Sequence, residues 1–373
     1  MSEIGGITSR GESGMKALVL SGGSGTRLRP FSHSMPKQLI PVAGEPVLAH
    51  ALGAVARLGV TDVGVVIGGW EREIAEAIGD GSRFGVRVTY LRQERPDGLA
   101  SCVALARPFL GDDDFVVYLG DNVLPDGIDG LAAEFRARRP AAHIAVQKVE
   151  DPRAFGIAEL ASDGSVVRLV EKPEPPCGDL AVIGVYFFTA AVHAAVAAIR
   201  PSARGELEIT DALQWLLDQG ARVTASEYAG YWKDTGRPED VLACNRRLLG
   251  DLCREVRGDV DAASTLSGPV LVEPGARVVR SRIDGPAIIG AGAVVKDSHV
   301  GPHTSVGRDC LLNAAGVADS VLLDGATIAA VPDLRGCIVG RSATVTGGAR
   351  RVHHRLMVGD HASVELPGVE LPG

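Results

Sequence analysis

The sequence predicts an α/β domain on a mostly parallel sheet, followed by a short parallel β-helix. Three observations carry this expectation. Apolar strand-like runs alternate with helical patterns from residue 15 to about 252. The first apolar run, 17–20, stops at Ser21 and is followed at once by Gly22, Gly23 and Gly25. Beyond Cys253 the texture changes to short units in which an aliphatic residue precedes a small or acidic residue, two variable residues and a small residue.

Strands are expected at 16–20, 63–67, 86–91, 115–119, 143–149 and 182–188, with helical patterns at 46–58 and 70–78 between them. In such folds ligands gather at the carboxyl ends of the strands, and the glycine loop falls on that edge. The later units begin at Val272, Ile289, Val300, Leu323, Val339 and Val358 and close on Ala276, Ala293, Thr304, Thr327, Ala343 and Ala362. This is a hexapeptide repeat, in which the aliphatic residue points inward and the small residue lets the chain turn the corner. Its spacing is interrupted, which predicts a short, irregular solenoid. The expected division is a flexible leader at 1–14, an α/β domain at 15–252 and a β-helix at 253–373, with Met15 as an alternative start.

A length of 373 residues suffices for two domains with sizeable cores. A formal charge of -8 argues against a general nucleic-acid binder. No apolar run approaches the ~20 residues of a membrane span, and the first fourteen residues lack the apolar segment of a secretory signal. The six cysteines (102, 177, 244, 253, 310 and 337) show no CxxC spacing, which reads as reduced thiols in a cytoplasmic protein.

The glycine loop is built for a polyphosphate. Glycines let backbone N–H groups approach phosphate oxygens closely. Arg27 adds a planar fork of donors, and Lys37 adds a point charge ten residues on. The Walker pattern is absent because Gly25 precedes Thr26 and Arg27, and the GxGxxG fingerprint is absent too.

The run Gly22-Gly23-Ser24-Gly25-Thr26-Arg27-Leu28-Arg29-Pro30, followed by Pro36-Lys37-Gln38-Leu39-Ile40-Pro41, resembles the signature of the sugar-1-phosphate nucleotidyltransferases. It is most similar to the long-form glucose-1-phosphate thymidylyltransferases of secondary-metabolite pathways. The resemblance extends to about residue 250. It implies a Rossmann-like catalytic domain, a left-handed β-helix after it, and transfer of a nucleotidyl group to a sugar 1-phosphate with release of pyrophosphate. It also implies dTTP and glucose 1-phosphate as the favoured substrates. The reaction displaces pyrophosphate in line at the α-phosphorus, so the protein must neutralise charge, align the attack and hold a metal ion.

Mg²⁺ takes oxygen ligands and keeps several waters, so one or two carboxylates suffice. Asp121 follows the buried run 115–119, and Asp234 lies in Tyr231-Trp232-Lys233-Asp234-Thr235-Gly236. The resemblance assigns both to the metal. It assigns Arg27, Lys37, Asp121 and Lys172 to catalysis, with Leu20, Gly22, Gly23, Gly25, Thr26 and Gln38 on the nucleotide. The acidic run Asp112–Asp114 reads as a solvated turn.

The segment 93–100 matches the family's Q-x-x-P-x-GLA motif. Gln93 carries a donor and an acceptor that suit the imide edge of a pyrimidine, and Gly98 is expected to let the base lie against the backbone. Cys102 stands where relatives have a small residue and reads as packing. On the sugar side, the resemblance points to Phe155 and Gly156, to Glu171 and Lys172 of the EKP motif, to Val182 on the strand lining the sugar, and to Arg204 as a phosphate partner. Phe155 replaces the usual tyrosine. Glu206, Glu208 and Asp211 are expected to cap and orient the helix that follows.

Other readings share these residues. The sugar phosphate could be a cyclitol 1-phosphate of an aminocyclitol or antibiotic pathway, or the nucleotide UTP, GTP or ATP. A non-catalytic nucleotide-sugar scaffold would be expected to lack Arg27, Lys37 or one aspartate, and all four are present. A bifunctional enzyme would use the β-helix for acyl transfer, with His299, His303, His353, His354 or His361 as base. The pair His353 and His354, beside Arg350, Arg351 and Arg355, reads as a solvated turn rather than a metal site. β-Helix faces often oligomerise, so a homo-oligomer is expected.

Overall fold

The computed structural model describes residues 14–23, 25–175, 177–347 and 353–366. The leader up to residue 13, Ser24, Arg350 and Arg351 lie outside these residues. The chain forms two compact units. One gathers Ala51–Gly120, Asp126–Trp232 and the chain up to Gly23, and the other gathers Ser24–His50, Asp121–Pro125 and Lys233–Gly373.

The first unit is built on a nine-stranded sheet. Its main path runs Val166–Glu171, Gly156–Leu160, Leu180–Phe188, Phe115–Leu119, Lys16–Ser21, Asp62–Ile67 and Arg87–Arg92. Ala142–Lys148 also pairs with Leu180–Phe188 and carries Val223–Glu227 beside it. Lys16–Ser21 is parallel to both of its neighbours, whereas Leu180–Phe188 is antiparallel to Phe115–Leu119 and to Ala142–Lys148. The sheet is therefore mixed. The strands at its centre, Lys16–Ser21, Asp62–Ile67, Phe115–Leu119 and Leu180–Phe188, are apolar on both faces, as in sheets covered by helices.

The strand Lys16–Ser21 shows the rule. Ala17, Leu18, Val19 and Leu20 are all buried, and Lys16 at the entrance donates to the carbonyl of Phe109 (2.7 Å) and pairs with Asp113 (3.0 Å). Asp114 likewise pairs with Arg139 (2.7 Å) and Asp112 with Arg107 (2.9 Å). The acidic turn is solvated as expected, and each of its members has a cation partner. Helix Glu71–Ile78 starts with Glu71 and Glu73 in its first turn, where the helix dipole favours carboxylates.

The second unit contains a β-helix with three parallel faces of seven, seven and five strands, consistent with the left-handed form. The aliphatic residues Val272, Ile289, Val306, Leu322, Val339 and Val358 stack in register on one face. Four residues after them, Ala276, Ala293, Cys310, Ala326 and Ala343 are fully or almost fully buried. The corners between use left-handed backbone at Gly275, Gly292, Asp309, Gly325, Ser342 and His361. At Gly292 an added Cβ would meet Asp309 Oδ1 of the next coil at 2.2 Å, so a side chain there would force Asp309 to move.

Two repeat units are displaced from their expected places. Val300 belongs to the strand His299–Val300 on a different face from Val272 and Ile289. The anchor of the coil after Val306 in that stack is Leu322 rather than Leu323, since Leu322 pairs with Val306 and Val339. The coil between them is Val306 to Cys310, where a buried thiol fills the place of the small inward residue. All six cysteines are free thiols. Among the described residues, no helix is long and apolar enough to cross a membrane.

Candidate functional site

The signature loop after Gly23 contains three single-turn 3-10 helices, Thr26–Leu28, Phe31–His33 and Lys37–Leu39. Such turns have poor hydrogen-bond geometry and lean on side-chain anchors. Leu28, Phe31 and Ile40 are fully buried and supply them. Gly25 is left-handed (φ 60°), and its carbonyl accepts from Ser32 Oγ at 2.7 Å. An added Cβ at Gly25 would lie 3.1 Å from Ser32 Cβ and 3.4 Å from Lys37 Cβ, so the glycine lets the loop fold on itself. Gln38 is buried (2 % exposed) within the third turn.

The same unit brings the two aspartates together. The strands Asn122–Val123 and Lys233–Asp234 pair antiparallel, with Asp234 opposite Asn122. The carbonyl of Asp121 accepts from the Thr235 backbone N–H (3.0 Å) and hydroxyl (2.8 Å). Lys37 Nζ pairs with Asp121 Oδ2, Asn122 Nδ2 donates to Asp121 Oδ1 (3.2 Å), and Arg27 Nη2 pairs with Asp234 Oδ2 (3.4 Å). Among the described residues, Asp234 Oδ1 is buried without a hydrogen-bond donor. Burial first, and then the like charge of Asp121, push the Asp234 carboxyl above its usual range, while Lys37 and Arg27 pull it back.

An orphaned buried carboxylate oxygen beside a second carboxylate is the chemistry a hard cation satisfies. Among the described residues no group of three or more His, Cys, Asp or Glu could hold a metal by itself. Two aspartates fit Mg²⁺, which takes its remaining ligands from water and phosphate. Gly236 protects this arrangement, because an added Cβ would meet Arg27 Nη2 at 2.8 Å and Asp234 Oδ1 at 3.0 Å.

In the first unit, Gln93 follows the strand Arg87–Arg92, and its Nε2 donates to Ser101 Oγ (2.8 Å), which donates to the Gly98 carbonyl (2.6 Å). Gly22 lies close by, with an added Cβ 3.8 Å from Gln93 Oε1. At Gly98 the φ is 101°, and an added Cβ would strike the Leu207 carbonyl oxygen at 2.5 Å, so Leu207 by itself excludes a side chain there. Leu207 N–H donates to the Asp97 carbonyl (2.8 Å), and the Leu207 carbonyl accepts from Ala100 N–H (3.0 Å). The motif at 93–100 and the segment at 204–211 are thus laced together. Cys102 is buried and packs, and burial pushes its thiol up to about 11.

Of the sugar-side candidates, Gly156, Lys172 and Arg204 meet at Glu171. Gly156 and Glu171 are partners across two strands, and Glu171 accepts from Thr210 Oγ1 (3.2 Å). Lys172 (3.5 Å) and Arg204 (3.4 Å) pair with its other oxygen. A Cβ on Gly156 would meet Thr210 Cγ2 at 2.7 Å. Phe155 packs edge-on against Trp232 with centroids 5.5 Å apart. Val182 is buried on Leu180–Phe188.

The capping expectation fails for Glu206 and Glu208. Glu208 stands at the N-cap of helix Ile209–Asp218 but makes no side-chain cap bond. Its carboxylate turns instead to Arg204 (3.2 Å) and Ser202 (3.0 Å), and Glu206 also pairs with Arg204 (3.3 Å). The Arg204 guanidinium draws both carboxylates away from the helix N-terminus. Thr210, Ser101 and Trp232 are partners that sequence reasoning passed over, and only the hydroxyls flanking the motifs hint at the first two.

These two constellations stand in known company. The nucleotidyl transferase family model matches residues 16–250. The chain is 51 % identical to a glucose-1-phosphate thymidylyltransferase of Streptomyces antibioticus, over 94 % of this chain and 99 % of that protein. It is 41 % identical to a low-salt glycan biosynthesis nucleotidyltransferase of Haloferax volcanii, over 94 % of this chain and all of that one. Among solved structures, a putative glucose-1-phosphate thymidylyltransferase from Bacillus anthracis in complex with a sucrose superposes with a TM-score of 0.60 at 34 % identity, covering 65 % of this chain and 98 % of that chain. The chain belongs to the nucleotidyl transferase family.

Proposed function

We propose that the protein is a Mg²⁺-dependent glucose-1-phosphate thymidylyltransferase, joining dTTP and glucose 1-phosphate into dTDP-glucose and pyrophosphate. The observation that carries the reading is the pair Asp121 and Asp234, held in register by Thr235, with Lys37 and Arg27 as counter-charges and one orphaned carboxylate oxygen. The thymidylyl preference rests on the Streptomyces antibioticus relative. The functional division we assign is catalysis in 15–252 and a supporting β-helix in 253–373.

In this mechanism a phosphate oxygen of the sugar 1-phosphate forms a bond to the α-phosphorus, and the bond to the bridging oxygen of the β-phosphate breaks. Pyrophosphate carries the leaving electron pair. When bound at Asp121 and Asp234, Mg²⁺ supplies charge neutralisation on the phosphate oxygens. Two cations and two carboxylates compensate one another in that cluster before substrate binds. Arg27 and Lys37 hold the triphosphate and the departing pyrophosphate. Lys172 and Arg204 take the sugar phosphate, Glu171 accepts from sugar hydroxyls, and Gln93 reads the pyrimidine edge.

The test is product identity. Protein stripped with EDTA and returned to Mg²⁺ should convert dTTP and glucose 1-phosphate into a species with the mass of dTDP-glucose, and the stripped protein should not. A wild-type protein with no such product at any Mg²⁺ concentration would refute the proposal.

A further inference from the structure

The signature loop is tied to the far end of the β-helix, inside one compact unit of the chain. Arg341 and Asp360 sit at corresponding corners of its last two described coils. The Arg341 backbone N–H donates to Asp360 Oδ1 (2.7 Å) and its Nε donates to Asp360 Oδ2 (2.7 Å). Its Nη2 pairs with Oδ2 (2.7 Å) and also donates to the backbone carbonyl of Ser34 (2.7 Å). Ser34 Oγ donates to Asp360 Oδ2 at 2.8 Å. The Asp360 side chain is only 2 % exposed. Next to it, an added Cβ on Gly359 would lie 3.2 Å from Pro30 Cβ, so the coil also packs against the loop.

We infer that the Arg341–Asp360 pair of the β-helix is a positioning clasp for the loop that carries Arg27 and Lys37. The inference rests on the nucleotidyl-transfer reading for its kinetic consequence. Ser34 lies seven residues after Arg27 and three before Lys37, between the two cations in the chain. Its neighbour Ser32 holds the Gly25 carbonyl (2.7 Å), which passes the clasp's constraint to the turn bearing Arg27. A loop of isolated 3-10 turns has little regular hydrogen bonding to fix it. A buried carboxylate and a guanidinium fork that engage both its carbonyl and its hydroxyl define one position for it. The β-helix thereby contributes to alignment at the phosphates while touching no substrate. A misplacement of the order of 1 Å in such a group costs up to about a hundredfold in rate.

The test uses the full chain with Arg341→Met, Asp360→Asn, Ser34→Ala and the conservative Arg341→Lys. Two readouts are taken on each: steady-state kinetics with dTTP and glucose 1-phosphate, and hydrogen exchange of the backbone amides over 26–39. Arg341→Met should lower kcat by about ten- to a hundredfold, with KM for glucose 1-phosphate within about twofold of wild type and faster exchange confined to 26–39 and the last coil. Arg341→Lys should recover part of kcat, and Ser34→Ala, which keeps the carbonyl bond, should lose less than Arg341→Met. Unchanged exchange over 26–39 in Arg341→Met would overturn the inference, even if the variant melted lower, because the pair would then serve only the last coil. An unchanged kcat beside an active wild type would overturn it as well. A wild type without transferase activity would refute the proposed function instead, and the exchange result would still decide whether the clasp holds the loop.

Discussion

Thr235 grips the backbone carbonyl of Asp121 twice, through its N–H at 3.0 Å and its hydroxyl at 2.8 Å, and is itself fully buried. Asp234 precedes Thr235, so this one residue fixes the spacing of two carboxylates 113 positions apart in the chain (234 − 121). Two aspartates held side by side by backbone and hydroxyl bonds are expensive in isolation. The nearby cations offset part of that cost, and a divalent ion would offset more.

The first prediction concerns that pair. Asp121→Asn and Asp234→Asn should each lower turnover at least about a hundredfold, and Thr235→Val, which keeps the backbone bond, should lower it less. Thermal unfolding without Mg²⁺ should show Asp234→Asn as stable as wild type or more so, because its repulsion with Asp121 is gone, whereas Asp121→Asn leaves Lys37 without its carboxylate and should melt lower. Near-normal rates in both asparagine variants would remove the metal assignment.

Gln93 is held by Ser101, which is anchored on the Gly98 carbonyl. Gln93→Ala should erode discrimination between pyrimidine and purine triphosphates more than it slows the preferred one. Competition between dTTP and ATP in one reaction measures this directly. An unaltered product ratio would take Gln93 out of base selection.

At Gly98 the prediction is one of stability. Gly98→Ala places a methyl 2.5 Å from the Leu207 carbonyl oxygen at a φ of 101°, and overpacking of this kind costs about 1–3 kcal/mol. Urea unfolding should move its midpoint down accordingly. Since Leu207 sits three residues from Arg204, affinity for the sugar phosphate should fall too. A variant as stable as wild type would mean that the two segments are not locked together.

His143 supplies the pH dependence. It is buried between strands, its Nδ1 lies 2.8 Å from Thr224 Oγ1, and its Nε2 has no hydrogen-bond partner among the described residues. Burial lowers its pKa, with Glu134 pulling up and Arg138 pushing down more weakly. The folded state therefore holds this proton less well than the unfolded chain, whose histidines titrate near about 6.5. Stability should rise with pH through that window and be lost as the pH falls below it. His143→Gln should flatten the fall in melting temperature between pH 7.5 and pH 5.5. His193, lowered by burial in the same sense, leaves a residual slope.

Much of the fold was legible because burial on both faces writes an unbroken apolar run. The strands at Lys16–Ser21, Asp62–Ile67 and Phe115–Leu119 lie within a residue of where hydrophobicity alone puts them. Gly156–Leu160, Val166–Glu171 and Val223–Glu227 left no such trace, because Glu159, exposed Arg168 and polar Thr224 and Ser226 interrupt the apolar signal at the sheet margin. The repeat phase slipped at Val306 to Cys310 because a buried cysteine stands in for alanine. The site divides in the same way. Motif glycines and charged residues announce themselves, whereas the grip of Thr235 on Asp121, the lacing of Leu207 to Gly98 and the recruitment of Glu208 by Arg204 arise only when distant segments meet.

The most direct test of nucleotidyl transfer is pyrophosphate release by the wild-type protein with Mg²⁺, across dTTP, UTP, GTP, ATP and CTP crossed with several sugar 1-phosphates. The account predicts the fastest release with dTTP and glucose 1-phosphate, and background release when either is omitted. No release with any pair would contradict it.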